Sequence, residues 1–225
     1  MSLSKRLLRV ASFVPEGAYI ADVGSDHAQL PLFLLEEKRI IGAEAIENKE
    51  GPYERMSRAV GLSPFRDQIA LSLSDGISCL NEKVDTVVLA GMGWRLILRI
   101  LQAGQAKLGS VRYLVVDAHN ERPLLIGELG KSSYRLAKAS FFYDEGIPYD
   151  VMLFEKGKAP TLYSPKECLF GPTHLKGDKN EDFRQYWSKE KERYESLINT
   201  GTLTPEVRAK YGELTREIQE VLDEH

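Results

Sequence analysis

The sequence predicts an α/β fold, a mostly parallel sheet with helical crossovers that is followed by an antiparallel α-helical hairpin, and three observations predict it. Between Tyr19 and Val116 short apolar runs alternate with amphipathic helical segments, which reads as five strands with helical crossovers. Two further apolar segments, Tyr134 to Tyr143 and Tyr149 to Glu155, are separated only by Asp144-Glu145-Gly146-Ile147-Pro148, a hairpin signal in place of another crossover. In the tail, Val207, Tyr211, Leu214, Ile218 and Val221 step by four and three, the spacing of a coiled-coil seam.

Taken in order, Leu3, Leu7, Leu8, Val10 and Ala11 recur at helical spacing behind Ser2 or Ser4 as caps. Leu3 to Phe13 therefore reads as a helix, which Pro15 and Gly17 end. Tyr19 to Val23 is the first strand, Gly24 opens a loop, and Leu30 to Glu37 is helical. Further strands are expected at Ile40 to Ile46, Gln68 to Leu73, Val84 to Ala90 and Tyr113 to Val116, with helices at Tyr53 to Val60, Leu96 to Leu101 and near Leu124 to Leu129. Gly157 to Gly177, with Pro160, Pro165 and Pro172, reads as a connector. Phe183, Trp187, Tyr194, Leu197 and Ile198 suit one helix face; Asn199 to Thr204 break it, and Thr204 and Pro205 supply the N-cap and first position of the next helix. The expected division is 1–157 for the sheet domain, 158–177 for the connector and 178–225 for the helical hairpin.

With 225 residues, 43% hydrophobic and 28% charged, the chain can bury one sizeable α/β core. A net charge of −3 creates no global positive field, so a nucleic-acid partner would need a local basic face. Cys79 and Cys168 lie far apart without zinc-ligand spacing, which argues against structural zinc and suits a reducing compartment. The stretch to Val14 holds no apolar run long enough for a signal or a membrane span. A cytoplasmic protein without a membrane partner is expected, monomeric, with a dimer as the alternative.

Parallel strands closed by an antiparallel hairpin resemble the layout of class I methyltransferases, whose Rossmann-like sheet binds S-adenosylmethionine at the carboxyl edge of its strands. Asp22-Val23-Gly24-Ser25-Asp26-His27 follows the first strand there. Gly24 would let the backbone approach a ligand and Asp22 suits the ammonium of a methionine moiety; the alternative is an ordinary turn. Glu47 ends the second strand, where a carboxylate can accept both ribose hydroxyls. Glu44 competes, but alternation along the strand suits it less. Asp75-Gly76 could meet the adenine amino group or simply turn the chain. Ala90-Gly91-Met92-Gly93 removes side-chain bulk where a methyl acceptor must approach, or forms a tight strand-to-helix joint. Asp117-Ala118-His119-Asn120 brings a carboxylate, an imidazole and an amide to the end of the fifth strand.

Together, the string Asp22 through Pro31, Glu47 ahead of Gly51-Pro52-Tyr53, Asp75-Gly76, and Asp85 through Gly93 resemble the bacterial tRNA (adenine(22)-N1)-methyltransferase family. The resemblance runs from the N-terminal helix through Phe170-Gly171-Pro172 into the tail, close to the whole chain. It implies an S-adenosylmethionine pocket built from Asp22, Gly24, Asp26, His27, Glu47, Asp75 and Gly76, with Ala90 and Gly91 beside it. It also implies a tRNA substrate, for which Lys5, Arg6, Arg9, Lys49, Arg55, Arg58 and Arg95 are candidates; each could equally be a solvated surface charge. Where the family reads Gly-Met-Gly-Gly-Arg this chain has Trp94, which could stack a flipped base or block it. Where the family reads Gln-Pro-Asn-Asn this chain keeps only the final amide, Asn120, and Gln29 replaces a usual Tyr.

Adenine N1 lies on the Watson–Crick edge, so the base must be unpaired or turned out to be methylated. In-line attack needs orientation and desolvation and no metal. Methylation makes the base cationic, so an acceptor for its exocyclic amine should help; Asp26 and Asn120 are the candidates, with His119 or His27 available for a proton. The alternatives are a methyltransferase with a small-molecule or protein acceptor, and a non-catalytic module that binds the cofactor or another nucleotide. A dehydrogenase fits least, because G-x-G-x-x-G is absent.

Overall fold

The computed structural model of the chain describes residues 3–118, 121–177 and 179–224. Its seven strands are β1 (Ala18–Val23), β2 (Ile40–Glu47), β3 (Ile69–Leu73), β4 (Thr86–Met92), β5 (Tyr113–Ala118), β6 (Tyr134–Asp144) and β7 (Ile147–Lys156). They form one sheet in the order β3-β2-β1-β4-β5-β7-β6. β1 to β5 pair in parallel, whereas β7 runs antiparallel between β5 and β6. That order, with an antiparallel strand closing the sheet, is the class I methyltransferase arrangement; a dinucleotide-binding sheet would continue in parallel.

Both faces of the sheet are covered, which is why the central strands read as unbroken apolar runs. On one face α1 (Lys5–Ala11), α2 (Gln29–Glu36) and α3 (Glu50–Gly61) bury Val10, Leu34 and Met56 against Ile20, Val88 and Val115. On the other, α4 (Trp94–Ala103) and α5 (Arg122–Lys131) bury Ile97, Leu101, Leu125 and Leu129 against Ala21, Val87, Leu89 and Leu114. Alternation along β4, with Val87 and Leu89 on one side and Val88 on the other, fixes its register between two cores. Ser4 caps α1 by accepting from the Leu7 N–H.

The structure departs from the sequence expectations locally, at element boundaries and in the connector. The β6–β7 loop shrinks to Glu145 and Gly146, both at positive φ (48° and 79°), the two-residue turn whose twist suits a hairpin. α4 starts at Trp94, two residues earlier than expected, directly after Gly93, which follows the end of β4 and stands at the N-cap. The proline-rich stretch expected to be an irregular connector contains α6 (Pro165–Phe170) and α7 (Pro172–Lys176). Both prolines sit at the first helical position, where a missing N–H breaks no bond, and Ser164 with Glu167 forms a capping box.

The tail folds as α8 (Glu181–Asn199) and α9 (Pro205–Asp223). They are antiparallel: Arg184, near the start of α8, donates to the Leu222 carbonyl at the end of α9, while Tyr194 meets Tyr211 with ring centroids 4.9 Å apart. Their root packs on β6 through Phe141, Phe170, Phe183, Trp187, Ile218 and Val221. Among the described residues no helix is long and apolar enough to cross a membrane.

Candidate cofactor and acceptor site

The strand order reverses direction between β1 and β4, so the loops at their carboxyl ends part and leave a crevice. Two small lobes of about 120 Å³ each lie there and share Gly24. The first is lined by Arg6, Asp22, Ser25, Asp26, Gln29 and Ala90, and the second by Ile46, Asn48, Ser74, Asp75, Gly76 and Met92. Gly24 holds φ at +73°, and a Cβ there would stand 3.0 Å from the Met92 Cε, so glycine keeps the partition between the lobes thin. A larger cavity of about 500 Å³, lined by Leu101, Gln105 and Tyr134, is separate from these strand-end residues.

The first lobe is polar. Asp22 is 6% exposed, and its Oδ2 accepts from the Ser25 hydroxyl at 2.6 Å. Burial raises its pKa to about 6; the Ser25 hydrogen bond opposes the rise and the charge of Glu47 adds to it. Opposite stands Arg6, which α1 carries to the end of β5, where its Nη1 lies 2.8 Å from the fully buried Asp117 Oδ2. The Arg6 guanidinium also passes Gly91 (φ +76°), where a Cβ would come within 3.1 Å of Nη1. A cation and an anion thus face the same lobe, the set that the zwitterionic end of an amino acid requires.

Around the second lobe the expected residues divide. Gly76 (φ +87°) turns the chain against Ile100, and Asp75 lines the lobe, 74% exposed and 3.9 Å from Arg99. Glu47 is 8% exposed and its Oε1 accepts from the Asp26 backbone N–H at 3.0 Å, which ties the end of β2 to the loop after β1. Its neighbour Asn48 lines the lobe itself. Glu44 is occupied elsewhere, accepting from the Ser72 hydroxyl and the Asn81 N–H. His27 does not line either lobe; it sits at φ +59°, with its Nε2 3.6 Å from Asp26 Oδ1. His119 and Asn120 lie outside the described residues.

The basic candidates also divide. Besides Arg6, α1 commits Lys5 to the Tyr143 carbonyl at 2.6 Å and Arg9 to the Phe142 ring at 5.3 Å. Lys49, Arg55 and Arg58 are exposed at the start and along the outside of α3, and Arg95 lies 5.4 Å from the Trp94 ring. Sequence reasoning missed Asn48 and Ser74 as neighbours of the site, and adjacency to Glu47 and Asp75 was the available signal. Met92 and Asp117 were read at the ends of their strands, without the neighbours that the structure gives them, Gly24 for Met92 and Arg6 for Asp117.

Comparison with known proteins gives the arrangement a family. The crystal structure of Streptococcus pneumoniae Sp1610 in complex with S-adenosyl-L-methionine is 34% identical, with a TM-score of 0.86 over 98% of this chain and 100% of that one. That of the Bacillus subtilis M1A22 tRNA methyltransferase is 30% identical, with a TM-score of 0.84 over 99% of both chains. The tRNA (adenine(22)-N(1))-methyltransferase of Bacillus subtilis (strain 168) is 31% identical over 99% of this chain and 98% of its own length. The family model described as tRNA (adenine(22)-N(1))-methyltransferase matches residues 20–224, and the chain belongs to that family.

Proposed function

We propose that this protein transfers a methyl group from S-adenosylmethionine to N1 of adenine 22 in tRNA. The observation that carries the reading is the divided crevice at the point where the sheet reverses, with Asp22 and Arg6 in one lobe and an apolar wall with Asp75 and Asn48 in the other. Asp22 would take the ammonium and Arg6 the carboxylate of the methionine moiety. Ile46, Met92, Leu96 and Ile100 would flank the adenine ring, and Asn48 or Asp75 would meet its polar edge. Glu47, positioned by the Asp26 N–H, would accept from the ribose.

When bound, the cofactor supplies an electrophilic sulfonium methyl group. The protein's part is to orient adenine N1 in line with it and to keep water out, which can account for about 7–11 kcal/mol of the barrier. Asp26, 68% exposed on the loop after β1, is available to the acceptor side. Free thiols at Cys79 and Cys168 suit the cytoplasm, where tRNA is found. The test is transfer of labelled methyl to unmodified tRNA, with nucleoside analysis and calorimetric cofactor binding on the same sample. Label in 1-methyladenosine at position 22 is expected. Cofactor binding without transfer would redirect the reading to another acceptor or to a binding module, and failure of both would overturn it.

A further inference from the structure

Among the described residues, a side-chain hydrogen bond joins the segments that follow β4 and β5. Trp94, the first residue of α4, donates its indole Nε1–H to the Glu121 carboxylate, which stands at the N-cap of α5 with φ at +45°. The strands beneath are adjacent, with Ala90 opposite Asp117 and Met92 opposite Ala118, so the two residues crown neighbouring strand tips. Trp94 is half-buried and, like Met92 and Leu98, packs against the core beneath, while the Arg95 guanidinium lies 5.4 Å from its ring. Met92 lines the second lobe and precedes Trp94 by two positions in the chain. Glu121 is exposed, and the N-terminus of α5 favours its negative charge.

A flat ring and a carboxylate at one edge are the chemistry that recognises a purine bearing positive charge. Rings stack on bases without regard to sequence, and an indole face attracts a cation. We propose that Trp94 and Glu121 form the acceptor-side clamp for the target adenine, a reading that rests on the tRNA methylation proposed above. The indole stacks on the extruded base, and the Glu121 carboxylate exchanges the indole N–H for the exocyclic amine. As the N1 lone pair forms the new N–C bond and the S–CH₃ bond breaks, the positive charge passes from sulfur to the base. That charge is shared with the exocyclic amine, next to Glu121, and no proton has to leave. The carboxylate therefore interacts more strongly with the transition state than with the neutral base, the condition for raising kcat.

Four variants separate the parts: Trp94→Phe, Trp94→Gly, Glu121→Gln and Glu121→Ala, each assayed for kcat and KM on unmodified tRNA with cofactor affinity by calorimetry. Trp94→Gly is expected to raise KM for tRNA about tenfold or more, from the lost stacking, and Trp94→Phe to recover most of that loss. Glu121→Gln is expected to lower kcat by about tenfold or more with little change in KM, and Glu121→Ala to do no better. Cofactor affinity should stay within about twofold in all four, which a collapsed site would not allow. Tryptophan emission gives a second readout, because the only other tryptophan, Trp187, is buried at 5% exposure in the root of the helical hairpin. tRNA should quench the wild-type emission and leave that of Trp94→Phe nearly unchanged. Trp94→Gly with an unchanged or lower KM for tRNA, Glu121→Gln with wild-type kcat, or emission indifferent to tRNA would each overturn the clamp alone. A wild-type protein that binds cofactor and leaves tRNA unmethylated would overturn the tRNA reading and the clamp with it.

Discussion

Asp22 is where the acid–base behaviour of the crevice concentrates, and the sign of its effect can be worked out. Its pKa is raised from the ordinary 3.8 to about 6, so the folded protein holds that proton more tightly than the unfolded chain does. The associated stability is complete below about pH 4 and is lost as pH rises through about 6. A cation placed beside the carboxylate reverses the preference, because it favours the ionised form. Cofactor affinity should therefore fall by up to about tenfold per pH unit below pH 6, with a proton released on binding. Calorimetry between pH 5 and 8 would show this, and a flat profile would remove Asp22 from the ammonium's neighbourhood. Asp22→Asn should flatten the profile, weaken binding at pH 7 and make the ligand-free protein slightly more stable there. Gly24 makes a steric prediction at the same scale. Gly24→Ala adds a methyl 3.0 Å from Met92 Cε at a φ of +73°, which costs about 1–2 kcal/mol of backbone strain and thickens the partition between the lobes. The fold should survive, with cofactor affinity down at least about tenfold; unchanged affinity would mean the partition does not touch the ligand.

At the scale of elements, α1 is a strap across the carboxyl edge. Lys5 and the Arg6 N–H hold the tip of the β6–β7 hairpin, and the Arg6 side chain reaches the end of β5. Arg6→Met removes the cation facing a carboxylate that is 0% exposed, and a loss of about 3 kcal/mol is expected. Adding Asp117→Asn to that variant should restore part of it; equal melting temperatures for wild type and Arg6→Met would show the pair to be dispensable. The element itself was legible, because its apolar spacing and Ser4 cap are local. The destination of Arg6 was not, since its partner lies 111 positions away and a charge carries no period. The same division runs through the site. Asp22, Gly24 and Asp75, which line the lobes, were expected there because strand ends at the carboxyl edge are positions the alternation itself marks. The Trp94–Glu121 bridge could not, because it depends on which two strand tips are neighbours. The helices within 158–177 were hidden by prolines that break a helix anywhere except at its first turn.

For the whole molecule, the question is how a chain of net charge −3 would hold a polyanion. Uniform attraction is excluded, so binding has to use a local face. Of the basic residues expected there, Lys5, Arg6 and Arg9 are engaged in holding α1 down, whereas Lys49, Arg55 and Arg58 are exposed around α3, on the loop side of β2. The helical hairpin cannot be removed to test its share, because its root covers Phe141 and Phe170, and a truncated chain would expose that cluster and aggregate. Charge substitutions keep the fold intact. If α3 contacts phosphates, replacing Lys49, Arg55 and Arg58 together by glutamine should reduce the slope of log affinity against log salt by about 2–3, close to 0.7–0.9 per contact. Affinity for tRNA should fall at every salt concentration below about 1 M while cofactor affinity stays the same. A slope unchanged by the triple substitution would move the phosphate contacts off α3. The hairpin's exposed cations, Lys189, Lys210 and Arg216 among them, would then be the face to neutralise next.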